Sequence, residues 1–481
     1  MKTPSWFWTK SRPLSERPAV SAVSRRVGSV LRLLFLLALC LFAVWRIMLH
    51  RDVQRNLGRL RAAGLPCSGD ELNAWRRPLT DAENGAILLA QAQALMVTLP
   101  GARSNEIDAA TLLSRTNVWT AATRRSVEEY LQMNERALTR TREALQLTQF
   151  RFPADYSYGL GQEFPQVHYP KDLARVVALR GALAAQTTNT NANTDGDADA
   201  WTEDAELLVR LAHSLDNEPT LLSYLVHNAI LRMSVALTER NLSRAAPGAE
   251  ACRRLQTAFV RAARTNSLPL ALIGERAMMI PYFRFSREEF QALSQSTEST
   301  GAPQKAQRFA GKPNPFLWLS GFLERDLNFF LETTENLGSM VVLPPPRSLA
   351  VTNYFETAMR VSNRRFYFFS GLFLPSYSKV ALGEASVRSR IALAGTALAV
   401  ERFERERGRF PETLAELTPG FLDEVPLDPF TGAPLRYRRL PRGYILYSVD
   451  ADGHDDGGRE PPQRKRTTDS NSYDITFIVE R

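Results

Sequence analysis

Common catalytic signatures are missing from this sequence. It holds no GxSxG, HExxH, phosphate-loop or dinucleotide fingerprint, so the simplest hydrolase, zinc-protease and nucleotide-binding readings lose their support. Cysteine is scarce too: Cys40, Cys67 and Cys252 permit at most one disulfide, so no disulfide-stapled scaffold is possible. Cys67 and Cys252 can pair if they meet in an oxidising compartment, or remain buried thiols. Block charge is also lacking. The formal net charge of +9 comes from arginines interleaved with Glu and Asp, as in RFERERGR at 402–409, which reads as solvated helical faces rather than a nucleic-acid surface.

What is present is enough for a large folded body. At 481 residues, with 44% hydrophobic and 23% charged content, the chain exceeds one ordinary core and shows no sign of wholesale disorder. LLFLLALCLFAVW at 33–45 is an unbroken apolar run, and the span 27–49 carries only Arg32 and Arg46 as charges. A helix of that length crosses the roughly 30 Å of a bilayer core. Lys2, Lys10, Arg12, Arg17, Arg25 and Arg26 precede it against one acid, Glu16, so the positive-inside rule keeps residues 1–26 in the cytoplasm and exports the rest. Arg51, Arg55, Arg59 and Arg61 follow closely and reduce that contrast. No small-x-small cleavage site follows the run, so an uncleaved signal anchor is expected rather than a signal peptide.

Residues 50–377 read as an exported helical domain. Ser68 or Asp70 can cap one short helix and Thr80 or Asp81, with Glu83, the next. Apolar spacing predicts helices over about 118–147, 172–186, 202–215, 217–241 and 249–266. The polar stretches 187–200 and 296–315 read as loops, and PPP at 344–346 as a break. Between them, 316–337 puts Leu319, Phe322, Leu323, Leu327 and Phe330 on one helical stripe. FYFFSGLFLP at 366–375 is ambiguous. It reads first as core, and second as a surface for a partner or the bilayer. His168, His213 and His227 fall in this part, and His213 and His227 on adjacent helices could approach each other with Glu206 or Asp216 completing a metal shell, although two such histidines more often occupy separate core or surface positions.

From residue 378 the pattern changes to one long helix, with Val387, Ile391, Ala394 and Leu398 at helical spacing, stopped at Gly408. A short helix after Pro411, a D-P-F-T-G turn at 428–432 and three strands follow. The expected class is therefore mainly α: membrane helix, helical domain, and a small α+β module at 378–481.

The order A-x-x-x-E-R-F-E-R-E-R-G-R-F-P, E-V-P-L-D-P-F-T-G-A-P-L-R-Y, G-Y-I-L-Y-S-V-D-A-D-G and a final D-I resembles the C-terminal half of the major pseudopilin of type II secretion systems. RLRAAGLPCSGDELNAW is similar to a stretch of large membrane-anchored proteins of planctomycete and verrucomicrobial type, which implies no activity. The pseudopilin resemblance implies a calcium loop fastening the last strand, with Asp452 at the first acidic position and Asp474 at the D-I. Asp450 stands where the family has glycine and Ser472 where it has aspartate. Leu33 replaces the glutamate that directs filament assembly.

The residues themselves leave two readings of the loop. Asp450, Asp452, Asp455 and Asp456 among glycines, with Asp474, offer hard oxygen ligands suited to Ca²⁺; alternatively they bond their own backbone amides in a solvated turn. The expectation is a single-pass protein of a bacterial inner membrane, N-terminus cytoplasmic and bulk periplasmic, structural or adaptor-like, with envelope or secretion-system partners. The alternative is an exported enzyme with its site in the helical domain.

Overall fold

The computed structural model describes residues 22–97, 107–108, 112–161, 164–187, 195–284, 319–378, 380–460 and 473–481. Two compact units are present, Met1–Arg55 and Asn56–Arg481. The first is dominated by α1 (Ala22–Ala62), whose residues from Asn56 onward belong to the second. Its apolar side chains are uncovered all round: Leu33 is 69%, Phe35 67% and Leu41 63% exposed. Such a surface in water has no compensating partner.

The second unit is mainly helical. It comprises α2 (Gly69–Trp75), α3 (Gly85–Ala94), α4 (Ala121–Met133), α5 (Glu135–Ala144), α6 (Pro165–Thr187), α7 (Asp195–His213), α8 (Leu221–Leu242), α9 (Ala249–Arg264), α10 (Leu268–Met279), α11 (Phe322–Val341), α12 (Ala350–Arg365), α13 (Phe368–Phe373), α14 (Pro375–Ser378) and α15 (Val380–Arg407). Strands β1 (Arg436–Leu440), β2 (Gly443–Ser448) and β3 (Ile475–Glu480) form one antiparallel sheet in that order. Arg438 pairs with Ile445 and Ile445 with Ile478. Gly443 closes the first hairpin at φ 149°, where a Cβ would lie 1.9 Å from the Val479 carbonyl oxygen.

Several local expectations shift for identifiable reasons. Ser68 does cap α2, accepting from the Glu71 N–H at 3.2 Å, but α3 is capped by Asn84, which accepts from the Ala86 N–H. Thr80 and Glu83, expected as cap and first turn, instead bond each other at 2.7 Å in the turn before that helix. The helix expected over 118–147 breaks at the buried Asn134. Its side chain accepts from the Val97 N–H at 2.9 Å and donates to the Tyr130 carbonyl, competing with the helical ladder. Residues 195–200, expected in a loop, begin α7. The expected loop at 296–315 lies outside the described residues. Leu319 precedes α11 and is 52% exposed, whereas Leu323, Leu327 and Phe330 are buried as their spacing requires.

One core runs from Ala86 and Leu89 in α3 to Phe477 and Val479 in β3. The sequence division at 377/378 falls inside this continuous unit. Helix α15 is buried on nearly every side over Leu393–Val400, since α9 and α8 cover one flank while β2 and β3 cover another. Gly408 ends it at φ 68°. Polar ties reinforce the seam between α8 and β3. Glu239 accepts from the Ile478 N–H at 2.8 Å, and Arg481 Nε donates to the Leu242 carbonyl at 2.8 Å. Helix α8 is itself long and apolar enough to cross a membrane, but it is mostly buried in this core.

A second set of aromatic contacts gathers Phe283, Phe330, Phe369 and Phe373, with Phe283 5.2 Å from both Phe330 and Phe369. The buried Asp326 on α11 caps α13, accepting from the N–H groups of Phe369 at 2.8 Å and Ser370 at 3.1 Å. The 366–375 stretch is thus split: Tyr367, Phe369, Phe373 and Leu374 are buried, while Phe366, Phe368 and Leu372 are exposed.

Glu275 on α10 is a buried acid with a testable consequence. It accepts from the Leu221 N–H at 2.9 Å, satisfying an open donor of α8. Burial outweighs that bond and pushes its carboxyl from 4.5 up to about 7. The folded protein then keeps a proton that the unfolded chain has lost, so stability falls as pH rises from about 4.5 to about 7 and levels off above. Glu275→Gln keeps the acceptor but cannot ionise. It is expected to match the wild type near pH 4.5 and to melt progressively higher than it toward about pH 7.5. A difference that stays constant across this range would rule the ionisation out.

Candidate functional site

The two histidines that the sequence brings into question do meet. His213 closes α7, His227 lies one turn into the buried part of α8, and the segment between them carries Asp216. His213 Nδ1 is 2.7 Å from Asp216 Oδ2, and the two rings stand edge-on with centroids 6.0 Å apart. His227 Nδ1 lies 3.0 Å from the Ala212 carbonyl oxygen, which can only accept, so this nitrogen carries a proton. Its N–H points at that carbonyl, and Asp216 Oδ1 lies 3.1 Å from the same nitrogen without hydrogen-bond geometry. Burial pushes the Asp216 carboxyl up, but the two histidines more than offset it and hold the group below the usual range. Glu206 does not join them: it pairs with Arg210 along α7 at 2.5 Å. His168 is exposed on α6.

Chemically, a carboxylate fixing the Nδ1 side of an imidazole is the orienting half of an acid–base pair. Among the described residues no three of His, Cys, Asp and Glu are placed to hold a metal ion.

Immediately beyond Asp216 the chain lines a cavity. Asn217, Trp75, Arg76, Arg77, Arg151 and Leu270 border a space of about 360 Å³. Behind it, the buried Glu218 is held from three sides. Arg76 Nη2 bonds Oε1, the Phe152 N–H donates to the same oxygen at 3.0 Å, and Tyr156 OH donates to Oε2 at 2.9 Å. Arg76 Nη1 also donates to the Phe152 carbonyl. Burial raises the Glu218 carboxyl despite these donors, and raises the Tyr156 hydroxyl in turn. Sequence reasoning did not find this network. Its one local signal is D-N-E-P at 216–219, an acidic turn ending in proline between two helices. Gly274 on α10 presses against that turn, where a Cβ would fall 1.8 Å from the Pro219 carbonyl oxygen.

In the aspartate loop most of the described contacts are local. Asp450 accepts from the Ala451 N–H at 2.8 Å, Asp452 from His454 N–H at 3.0 Å and Asp455 from Gly457 N–H at 3.0 Å. Asp456 faces His454 Nδ1 at 3.4 Å. Asp474, just ahead of β3, accepts from the Gly458 N–H at 2.7 Å, tying the loop to the start of the last strand. The Gly457 amide holds the Asp455 carboxyl below its usual range, whereas burial raises those of Asp450 and Asp474. Ser472 lies outside the described residues. The acid that organises this end of the sheet is instead Asp428 of D-P-F-T-G. Fully buried, it accepts from Ser448 Oγ at 3.0 Å, Val449 N–H at 3.1 Å and Phe430 N–H at 2.9 Å. Arg436 bridges it to Asp455.

Cys67 and Cys252 are separate buried thiols, and Cys40 is exposed on α1. Burial pushes Cys252 up to about 12. No family model, no curated protein and no solved structure matches the chain.

Proposed function

We propose that the chain is a single-pass, membrane-anchored envelope protein whose large body has a structural or adaptor role outside the cytoplasm. The observation that carries this reading is α1, whose apolar side chains over Val27–Met48 are exposed, with no cover among the described residues. Lipid is the solvent that matches such a surface. The long helix, D-P turn and three-stranded sheet, in that order, support the further proposal of contact with a secretion or pilus-like assembly.

The expected result is that the chain stays in the membrane fraction through alkaline carbonate and is released by detergent. A reporter enzyme that works only outside the cytoplasm is expected to be active when fused after the body and inactive when fused ahead of Ala22. Extraction by carbonate alone would end the anchor reading. Capture of the tagged chain without any secretion or pilus component would end the proposed partnership.

The convergence of His213 and His227 on Asp216 supports a second reading, an exported enzyme whose reaction uses a carboxylate-oriented imidazole beside the Asn217 cavity. Asp216→Asn would separate the two. An unchanged cellular phenotype with an intact fold would remove the enzyme reading.

A further inference from the structure

Helix α12 ends in Arg364 and Arg365, and the next residue, Phe366, adopts the left-handed conformation at φ 57° with 79% of its surface exposed. A bulky residue is strained there, and its ring gains no burial in return. Phe368 and Leu372, 50% and 53% exposed, follow on the same short segment. This segment is firmly seated: Asp326 binds the amides of Phe369 and Ser370, and Phe369 and Phe373 are locked into the aromatic core. The three exposed apolar groups are therefore displayed on a rigid support rather than on a loose loop.

Where the segment sits follows from two contacts within the second unit. Asn56 Nδ2 donates to Asn328 Oδ1 at 2.9 Å, and further along the same helices Arg59 Nη2 meets Glu335 Oε2 at 3.5 Å. The end of α1 and helix α11 thus run in the same direction. Asp326, with the segment it holds, lies toward the end of this unit at which the chain arrives. In sequence, Asn56 follows Leu49, the end of the apolar span, by only seven residues. Charge at this end also suits a phospholipid surface. Arg325, Arg360, Arg364 and Arg365 are exposed there, against Glu324 and Glu356.

We infer that Phe366, Phe368 and Leu372, flanked by Arg364 and Arg365, rest in the interfacial layer of the bilayer that holds α1, giving the body a second, shallow attachment to anionic lipid. Apolar side chains beside arginines on a helical surface are the chemistry of interfacial binding. The inference rests on the anchor reading above.

The test uses the full chain carrying Cys40→Ala, so that no thiol remains exposed on α1. Single Phe366→Cys and Phe368→Cys variants are labelled with the environment-sensitive fluorophore NBD and reconstituted into phosphatidylcholine–phosphatidylglycerol vesicles. Cys67 and Cys252 are buried and stay unlabelled. Val118→Cys, at a position 83% exposed, is the aqueous control. Flotation of the vesicles reports the anchor independently. The expected result is flotation, a blue-shifted emission and several-fold weaker iodide quenching at 366 and 368 than at 118, with that protection reduced by Arg364→Glu/Arg365→Glu. Flotation with equal quenching at all three positions overturns the inference and leaves the anchor standing. Loss of flotation overturns both.

Discussion

Arg76→Ala is expected to destabilise the second unit by about 3–5 kcal/mol, the usual cost of removing one partner of a buried ion pair. Arg76 is only 8% exposed and Glu218 3%, so neither group reaches enough water to replace its partner. Without the guanidinium, Glu218 keeps two donors, the Phe152 amide and the Tyr156 hydroxyl, but loses the charge it is paired with. Its already raised carboxyl then takes up a proton at still higher pH. Urea unfolding of the detergent-solubilised chain measures the loss. Arg76→Met combined with Glu218→Gln is expected to recover part of it, since no charge remains to be buried. A loss below about 1 kcal/mol for Arg76→Ala would mean that water enters the site and that the pair behaves as a surface contact.

Asp428→Ala is expected to cost a similar amount, about 3–5 kcal/mol, by a different route. It leaves the Val449 and Phe430 amides without their acceptor, at roughly 1–3 kcal/mol for each donor orphaned in the interior, and takes from the Ser448 hydroxyl one of its two partners, Ser389 Oγ remaining at 3.2 Å. Because Arg436 also loses its inner partner, the aspartate loop should loosen with it. Faster hydrogen exchange at Val449 and Gly458, beside an unchanged rate at the centre of α8, would display that local origin. Asp428→Asn keeps an acceptor for two of the donors and should lose less.

The contrast between these two acids shows what could be read in advance. Asp428 sits in D-P-F-T-G, a turn with a fixed conformation, so its place at the sheet was legible even though its role as central acceptor was not. Helix positions were legible wherever apolar spacing is regular, as in α15 with Val387, Ile391, Ala394 and Leu398, all of which are buried. They slipped where one polar side chain overrides the pattern, as Asn134 does. The histidine cluster was legible as a possibility because His213 and His227 flank one interhelical segment. Glu218 was not, because Arg76, Phe152 and Tyr156 reach it from more than sixty residues away in sequence. The apparent twofold reading of FYFFSGLFLP came from treating ten residues as one surface, when neighbouring rings face opposite ways.

The seam between α8 and β3 sets a timetable. Its hydrogen bonds join residues 239 positions apart in sequence, Glu239 to Ile478 and Leu242 to Arg481. At a synthesis rate of roughly 5–20 residues per second, α8 leaves the ribosome some ~12–48 s before the strand that covers it. During that interval one of the most apolar helices of the body presents an open face. Helices α6 and α7, made before α8, already pack on its other sides, so what waits for the end of the chain is the strip of α8 that carries Glu239 and Leu242.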